Sequence, residues 1–369
     1  MLDHAFTGPP FTVGIEEELM ILDPESLDLA QEIEPLLASV PSEWEGQIKP
    51  ELFSAVLEIA TRPCAGVNEA GEELAKLRAL VARLAGERGL AIGAAGTHPF
   101  ARWEEQVIVD RPRYRELISD LGYIARRELI FGTHVHVAIA GADRAVYVAD
   151  GIRRYLPLLL AISTNSPFWR GHPTGMMSSR VPVFRQFPRQ GIPPHYGTWE
   201  IYSHRVETMM RSGAIEDYTY LWWDVRPHPK LGTVETRVCD QQTSLAGTLA
   251  LAALITSLAR RLCVLHDTEE PLVEYPSELI DDNKVRAALR GMEGRLVDFR
   301  AGHHVPAPEL AKRLLEELAV DAAELGIARH LETVWEILRE GTGARRQLAS
   351  WERNGRDPRE VVRGLIVDA

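Results

Sequence analysis

The stretch Phe11–Leu22, FTVGIEEELMIL, ends at the turn signal Asp23-Pro24 and alternates with the period of a β-strand. On a strand, Glu16 and Glu18 point to one face and Glu17 to the other. Phe11, Val13, Ile15, Leu19 and Ile21 make the rest of the strand largely apolar. Two carboxylates side by side on a sheet repel each other unless a cation lies between them. Taken alone, the stretch admits either a solvated acidic edge strand or a metal site, and its apolar neighbours speak against the first.

Three further segments carry the same chemistry. Gln47–Thr61, QIKPELFSAVLEIAT, again alternates and holds Glu58 in an otherwise apolar run, with Glu51 seven residues before it. A buried glutamate is rare unless it is paired or binds a metal. Strict alternation puts Glu51 on the face opposite Glu58, so Glu51 needs a bulge or a loop position to join the same site. Leu129–Ile139, LIFGTHVHVAI, places His134 and His136 on one face of a strand, a spacing found in many metal sites but equally in structural histidine pairs. Thr233–Asp240, TVETRVCD, sets Glu235, Arg237 and Cys239 on one face. It reads either as a buried Glu–Arg ion pair or as a third strand sending a carboxylate inward. Oxygen donors from several strands suit Mg²⁺ or Mn²⁺ rather than Zn²⁺. The planar fork of Arg237 suits a phosphate or a substrate carboxylate.

Between these segments the chain reads as helices and loops. Asn68 is expected to cap a helix ending near Gly86/Gly89, Leu90–Ala95 to form a short strand, and Asp143 to cap a helix kinked near Pro157. Asn165–His195 is long and rich in Pro, Gly and Arg, and is expected to line a site. Tyr220–Val225 is expected as a strand and Leu245–Leu265 as a buried helix. Helices are expected at about 284–300, 307–326, 329–340 and 357–367, the last opening with Asp357 and Pro358. Without repeats or linkers, residues 1–369 read as one α+β domain whose portion from about 284 to 369 is helical.

Bulk properties exclude several classes. A net charge of −12 over 369 residues argues against a nucleic-acid surface. No run approaches the roughly 20 apolar residues of a membrane span, and Met1–Pro10 lacks the features of a signal peptide. Cys64, Cys239 and Cys263 are widely spaced and read as free thiols of a cytoplasmic protein. The P-loop, the dinucleotide-binding glycine fingerprint, HExxH and GxSxG are all absent.

Taken in order, FTVGIEEELMILDP, ELFSAVLEIATRP, FGTHVHVAI with LPLLLAISTNSPFWRG, and RPHPKLGTVETRVCD resemble the carboxylate–amine ligases of glutamate–cysteine ligase type 2, in the glutamine synthetase-like superfamily. The similarity runs from about residue 11 to the segment Gly341–Gln347. The resemblance implies a curved antiparallel sheet with helices on its convex side and ATP, Mg²⁺ or Mn²⁺ and small-molecule substrates on its concave side. It places metal ligands at Glu16, Glu18, Glu51, Glu58, His134 and Glu235, and a substrate- or phosphate-binding arginine at Arg237. Arg180 in MMSSR matches a second such arginine, and Glu58 or Glu51 is placed to help deprotonate the amine. The implied activity is amide formation through an acyl phosphate, including weak glutamate–cysteine ligase activity, in a homodimer. A metal-dependent amidohydrolase on the same scaffold and a non-catalytic binding protein remain the alternatives.

Overall fold

The acidic strand β1 (Val13–Leu22) runs through the middle of a seven-stranded sheet in a computed structural model that describes residues 1–367. The other strands are β2 (Ile48–Pro50), β3 (Val56–Ala60), β4 (Ala91–Gly93), β5 (Gly132–Ala138), β6 (Val225–His228) and β7 (Thr233–Asp240). They follow the order β6-β7-β5-β1-β3-β2, every pairing antiparallel, with β4 joined to β1 alone. One edge of β1 is shared: β5 pairs with Val13–Glu17 and β4 with Met20–Leu22. The sheet therefore forks beside Glu18.

Alternation along β1 separates two environments. Ile15, Leu19 and Ile21 join Leu57, Ile59, Val135, Val137 and Val234 in the main core, which the helices Val67–Gly86 and Leu245–Asp267 complete through Leu74, Leu77, Leu251 and Leu258. Burying each large aliphatic side chain contributes about 1.5–3 kcal/mol. Glu17 points into this apolar layer and is fully buried. The Arg78 guanidinium reaches it from the first helix with bonds of 2.6 and 2.7 Å, and Thr248 from the second helix donates a hydroxyl. Leu245–Asp267 is, contrary to the sequence expectation, long and apolar enough to cross a membrane, but 78% of its most apolar window is buried inside the protein.

Other expectations need correction where local chemistry overrides pattern. Gly66, not Asn68, precedes the first long helix; the Asn68 amide instead reaches across to Gly326 and meets Arg329 and His330. Gly141 takes the cap position expected of Asp143, whose carboxylate accepts the Trp199 N–H at 2.8 Å. The kink near Pro157 is present as a 3₁₀ turn, Arg153–Tyr155, between two helices. The expected strand Tyr220–Val225 divides: Trp222–Trp223 pairs in parallel with Gln190–Gly191, and Val225 opens β6.

The C-terminal portion is not wholly helical. The helix expected at 284–300 is Ser277–Arg290, which stops at Gly291 with a φ of +51°, a left-handed value that favours glycine. A hairpin of Arg295–Asp298 and His303–Pro306 follows it. The helix Gly343–Arg353 was not foreseen, whereas Asp357 does cap the last helix by accepting the Arg359 N–H at 2.9 Å.

Asn165–His195 is folded against the sheet by one buried carboxylate. Asp240 at the end of β7 accepts the Ser166 hydroxyl at 2.7 Å, the Ser178 hydroxyl at 2.9 Å and the Asn165 N–H at 2.8 Å. These bonds set the start of the short helix Arg180–Phe184 and bring Arg180 over β5.

Candidate active site

On the sheet face turned away from the main core, β-pairing assembles side chains that lie far apart in sequence. Glu18 stands opposite Glu58 across β1 and β3, Glu16 opposite His134 across β1 and β5, and His136 opposite Glu235 across β5 and β7. Of these, Glu16, Glu18, Glu58 and His134 line a cavity of about 380 Å³ together with Glu51, while His136 and Glu235 stand beside it. Arg180, Arg226 and Arg237 line it as well. Glu17 faces the other way, as alternation requires.

Glu51 reaches the cavity because the chain stops being a strand before it. β2 ends at Pro50, and the turn through residues 51–55 precedes β3, so the expected single strand Gln47–Thr61 is two strands joined by a loop. From that loop Glu51 comes within hydrogen-bond reach of Glu58. Lys49 pairs with Glu58 at 3.0 Å.

The carboxylates are not equivalent. Burial, Glu58 and Glu18 together push Glu51 well above the ordinary carboxylate range. Burial and Glu16 raise Glu58 against the pull of Lys49. Burial carries Glu18 up to about 7, with Glu58 adding to it, although Arg180, Arg237 and the Gly132 N–H at 2.5 Å favour the ion. Glu16 goes the other way: burial opposes its charge, but His136 and His134 hold it well below the usual range. Glu235 is likewise held low against burial by Arg226 and Arg237.

Both expected readings of the E-x-R segment are present together. Arg226 donates to Glu235 at 2.6 Å and Arg237 binds its other oxygen, a buried ion-pair triad. The same Glu235 lies beside His136 and Glu16, and one ligand atom from each of these three lies within 4.8 Å of the others. His136 Nδ1 is 3.0 Å from the Thr233 hydroxyl, and its buried Nε2 makes no hydrogen bond but faces the Glu16 and Glu235 carboxylates at 3.5 and 3.8 Å. His134 behaves similarly: Nδ1 meets Glu16 at 3.2 Å, and Nε2 is buried and unpartnered. Burial and Arg237 depress its pKa to about 4, so it stays a neutral imidazole, the form that binds metals. Several carboxylates driven toward protonation, with two imidazole nitrogens left open, form a donor set that fits divalent cations.

Arg180 lies across Gly132. A Cβ at that glycine would stand 2.5 Å from Arg180 Nη2 and 3.0 Å from His134 Nε2, so any larger residue would push the guanidinium and the imidazole from their present positions. Its two amino groups donate to the Val238 and Arg237 carbonyls at 3.3 and 3.2 Å. Cys239 does not share the Glu235 face. A bulge between Thr236 and Cys239 turns it toward the core, where it stands opposite Thr133.

Lys49, Arg226 and Glu128 are site residues that sequence reading missed, and Glu128 was the hardest to find. It precedes β5, lines the same cavity, and burial together with Glu18 pushes it well above the ordinary range. It follows a short helix in an irregular segment, where periodicity says nothing about direction; only its position six residues before His134 signalled it.

The fold is that of ligases of known structure. A glutamate–cysteine ligase from Francisella tularensis, solved with AMP, superposes with a TM-score of 0.70 over 98% of this chain and 89% of that one, at 13% identity. A bifunctional glutathione synthetase from Pasteurella multocida gives 0.67 over 96% of this chain and 51% of that one, at 15% identity. Sequence relatives are closer. Two proteins of Rubrobacter xylanophilus, provisionally named glutamate–cysteine ligases 2-1 and 2-3, are 41% and 44% identical over 96% and 94% of this chain, and over 94% of each relative. The family model of glutamate–cysteine ligase family 2 matches residues 12–365, and the chain belongs to that family. It is accordingly an ATP-dependent carbon–nitrogen ligase of the carboxylate–amine class.

Proposed function

We propose that this cavity uses ATP to join the carboxylate of glutamate, or of a close analogue, to a primary amine such as cysteine. The relatives' names support glutamate and cysteine as the first pair to try. The observation that carries the reading is the convergence of Glu16, Glu18, Glu51 and Glu58 with His134, Arg180 and Arg237 on one cavity. Such a site suits a polyanionic substrate held through cations rather than through a glycine-rich loop.

In this reading Glu18, Glu51 and Glu58 would hold one Mg²⁺ or Mn²⁺, and Glu16, His136 and Glu235 another, with His134 beside Glu16 as a further ligand. The bound ions supply electrostatic stabilisation to phosphate oxygens. A substrate carboxylate oxygen attacks the γ-phosphorus and ADP departs. The ammonium loses one proton, the freed nitrogen attacks the acyl carbon, the C–O bond to phosphate breaks, and a second proton passes from nitrogen to the departing phosphate, so the amide keeps one N–H. Arg237 and Arg180 offset charge on the transferring and departing phosphoryl group. As the alternative to ligating a cation, Glu58 would take a proton from the amine once its own charge is restored. The buried free thiols Cys64, Cys239 and Cys263 support a reducing, cytoplasmic setting.

The test is ADP release from the purified protein with ATP, Mg²⁺, glutamate and cysteine, extended to a broad panel of amines. Absence of ADP with every amine overturns the reading. Hydrolysis of a γ-glutamyl amide without nucleotide would favour the amidohydrolase.

A further inference from the structure

Among the described carboxylates lining the cavity, Glu128 alone has no hydrogen-bonding or ionic partner. Glu16 meets two histidines, Glu18 accepts the Gly132 N–H, Glu51 accepts the Leu52 N–H and lies within reach of Glu58, and Glu58 pairs with Lys49. Among the described residues Glu128 makes no side-chain hydrogen bond, and Arg237 and Arg180 influence it only from beyond the 4.0 Å of an ion pair.

A second observation bears on what it would bind. The cavity wall carries Leu117, Ile130, Phe184, Phe187 and Trp222, an apolar surface supplied by the helix Pro112–Leu121, by the residues before β5 and by the segment around Phe184. Arg180, only 5% exposed, lines the same cavity with its Nε unpartnered. A divalent cation needs several oxygen ligands or retained waters, which an apolar wall does not provide. A substituted ammonium needs one carboxylate for its N–H groups and apolar surface for its carbon chain.

We propose that Glu128 receives the ammonium group of the amine substrate while the apolar wall seats that substrate's side chain. The amine this enzyme takes is therefore a primary amine with an apolar or aromatic side chain. The inference rests on the ligase reading and adds the amine's chemical class to it. Glu128 acts as a positioning residue, binding the amine before attack.

The experiment measures ADP release by wild type, E128Q and E128D with glutamate as carboxylate and ethylamine, isobutylamine, phenethylamine or cysteine as amine. Manganese bound per chain is read in parallel by electron paramagnetic resonance, and folding by thermal melting. Loss of one charge-assisted hydrogen bond raises KM for the amine roughly ten- to hundred-fold in E128Q. KM for ATP and manganese stoichiometry stay unchanged, E128D recovers part of the loss, and wild-type kcat/KM rises from ethylamine to phenethylamine. An unchanged amine KM in a folded E128Q overturns the proposal, as does loss of one manganese per chain or a flat amine series. Wild type that turns over no amine at all removes the ligase reading itself, a distinguishable failure.

Discussion

Glu17 and Arg78 form a two-pronged ion pair with side chains 0% and 6% exposed, fastening the first long helix to the middle strand of the sheet. Arg78 also donates to the Gln242 and Thr243 carbonyls at 2.9 and 2.8 Å, where the chain leaves β7 for the helix Leu245–Asp267. One guanidinium thus ties together three elements behind the cavity. Replacing Arg78 by Met strands a charge in the core and is expected to destabilise the fold by about 3–5 kcal/mol. The double variant E17L/R78M should lose less than the sum of the singles; chemical denaturation of all three measures the difference.

Charge removal on the opposite face should behave differently. Glu16→Gln and Glu58→Gln take donors from the cavity, not from the core. Each is expected to leave the melting temperature close to wild type while kcat/KM for ADP release falls by more than the roughly 10–100-fold typical of an outer-shell metal partner. Manganese titration followed by electron paramagnetic resonance should show weakened binding in both. Unchanged manganese affinity would contradict their assignment as metal ligands.

The metal role proposed for Glu18 links cation binding to pH. Its folded-state pKa is raised to about 7, so the folded state holds its proton more tightly than the unfolded chain does. That contribution to stability is fully present below the ordinary carboxylate value and is lost as pH rises through about 7. His134, depressed to about 4, contributes in the opposite sense, its stability falling away as pH drops below the ordinary imidazole value. The two are separated by comparing wild type with Glu18→Gln. In chelator the melting temperature of E18Q should gain on wild type as pH rises from about 5 to about 7 and level off above it, and added Mn²⁺ should abolish that gain.

Gly132→Ala tests the seat of Arg180. A methyl group 2.5 Å from Nη2 forces the guanidinium off β5, a crowding cost of about 1–3 kcal/mol. Activity should fall about tenfold or more, with KM for the anionic substrate rising, while Gly14→Ala, whose added carbon meets His136 Cβ at an ordinary 3.6 Å, provides the milder control. Equal losses in both would place the defect in the strands rather than in Arg180.

The strands were the legible part of this molecule. Two-residue periodicity assigned Glu16, Glu17 and Glu18 to their faces, because a strand buried on both sides leaves each side chain no choice. Glu51 showed the limit: its alternation was wrong for the site, and the turn that rescues it depends on how β2 and β3 pair, a non-local fact. Cys239 failed for the related reason that a bulge shifts register without a mark in the sequence. The break at Gly291 was written as a glycine but hidden inside a run of good helix formers. Glu128 lay in irregular chain, where direction is set by packing alone. The choice between an ion pair and a metal ligand at Glu235 was never a sequence question, since the folded site offers both.

The fork in the sheet has a further consequence. Where β5 and β4 part company along β1, the Gly132 amide hydrogen has a carboxylate of Glu18 as acceptor instead of a backbone carbonyl. That hydrogen is a built-in gauge of what Glu18 is holding. When the carboxylate turns to a cation, the amide loses its acceptor, and its nuclear magnetic resonance shift and its exchange with heavy water should change. Neighbouring amides of β5, bonded to backbone, should keep theirs. Filling of the cavity can then be followed from a single backbone position, without substrate turnover.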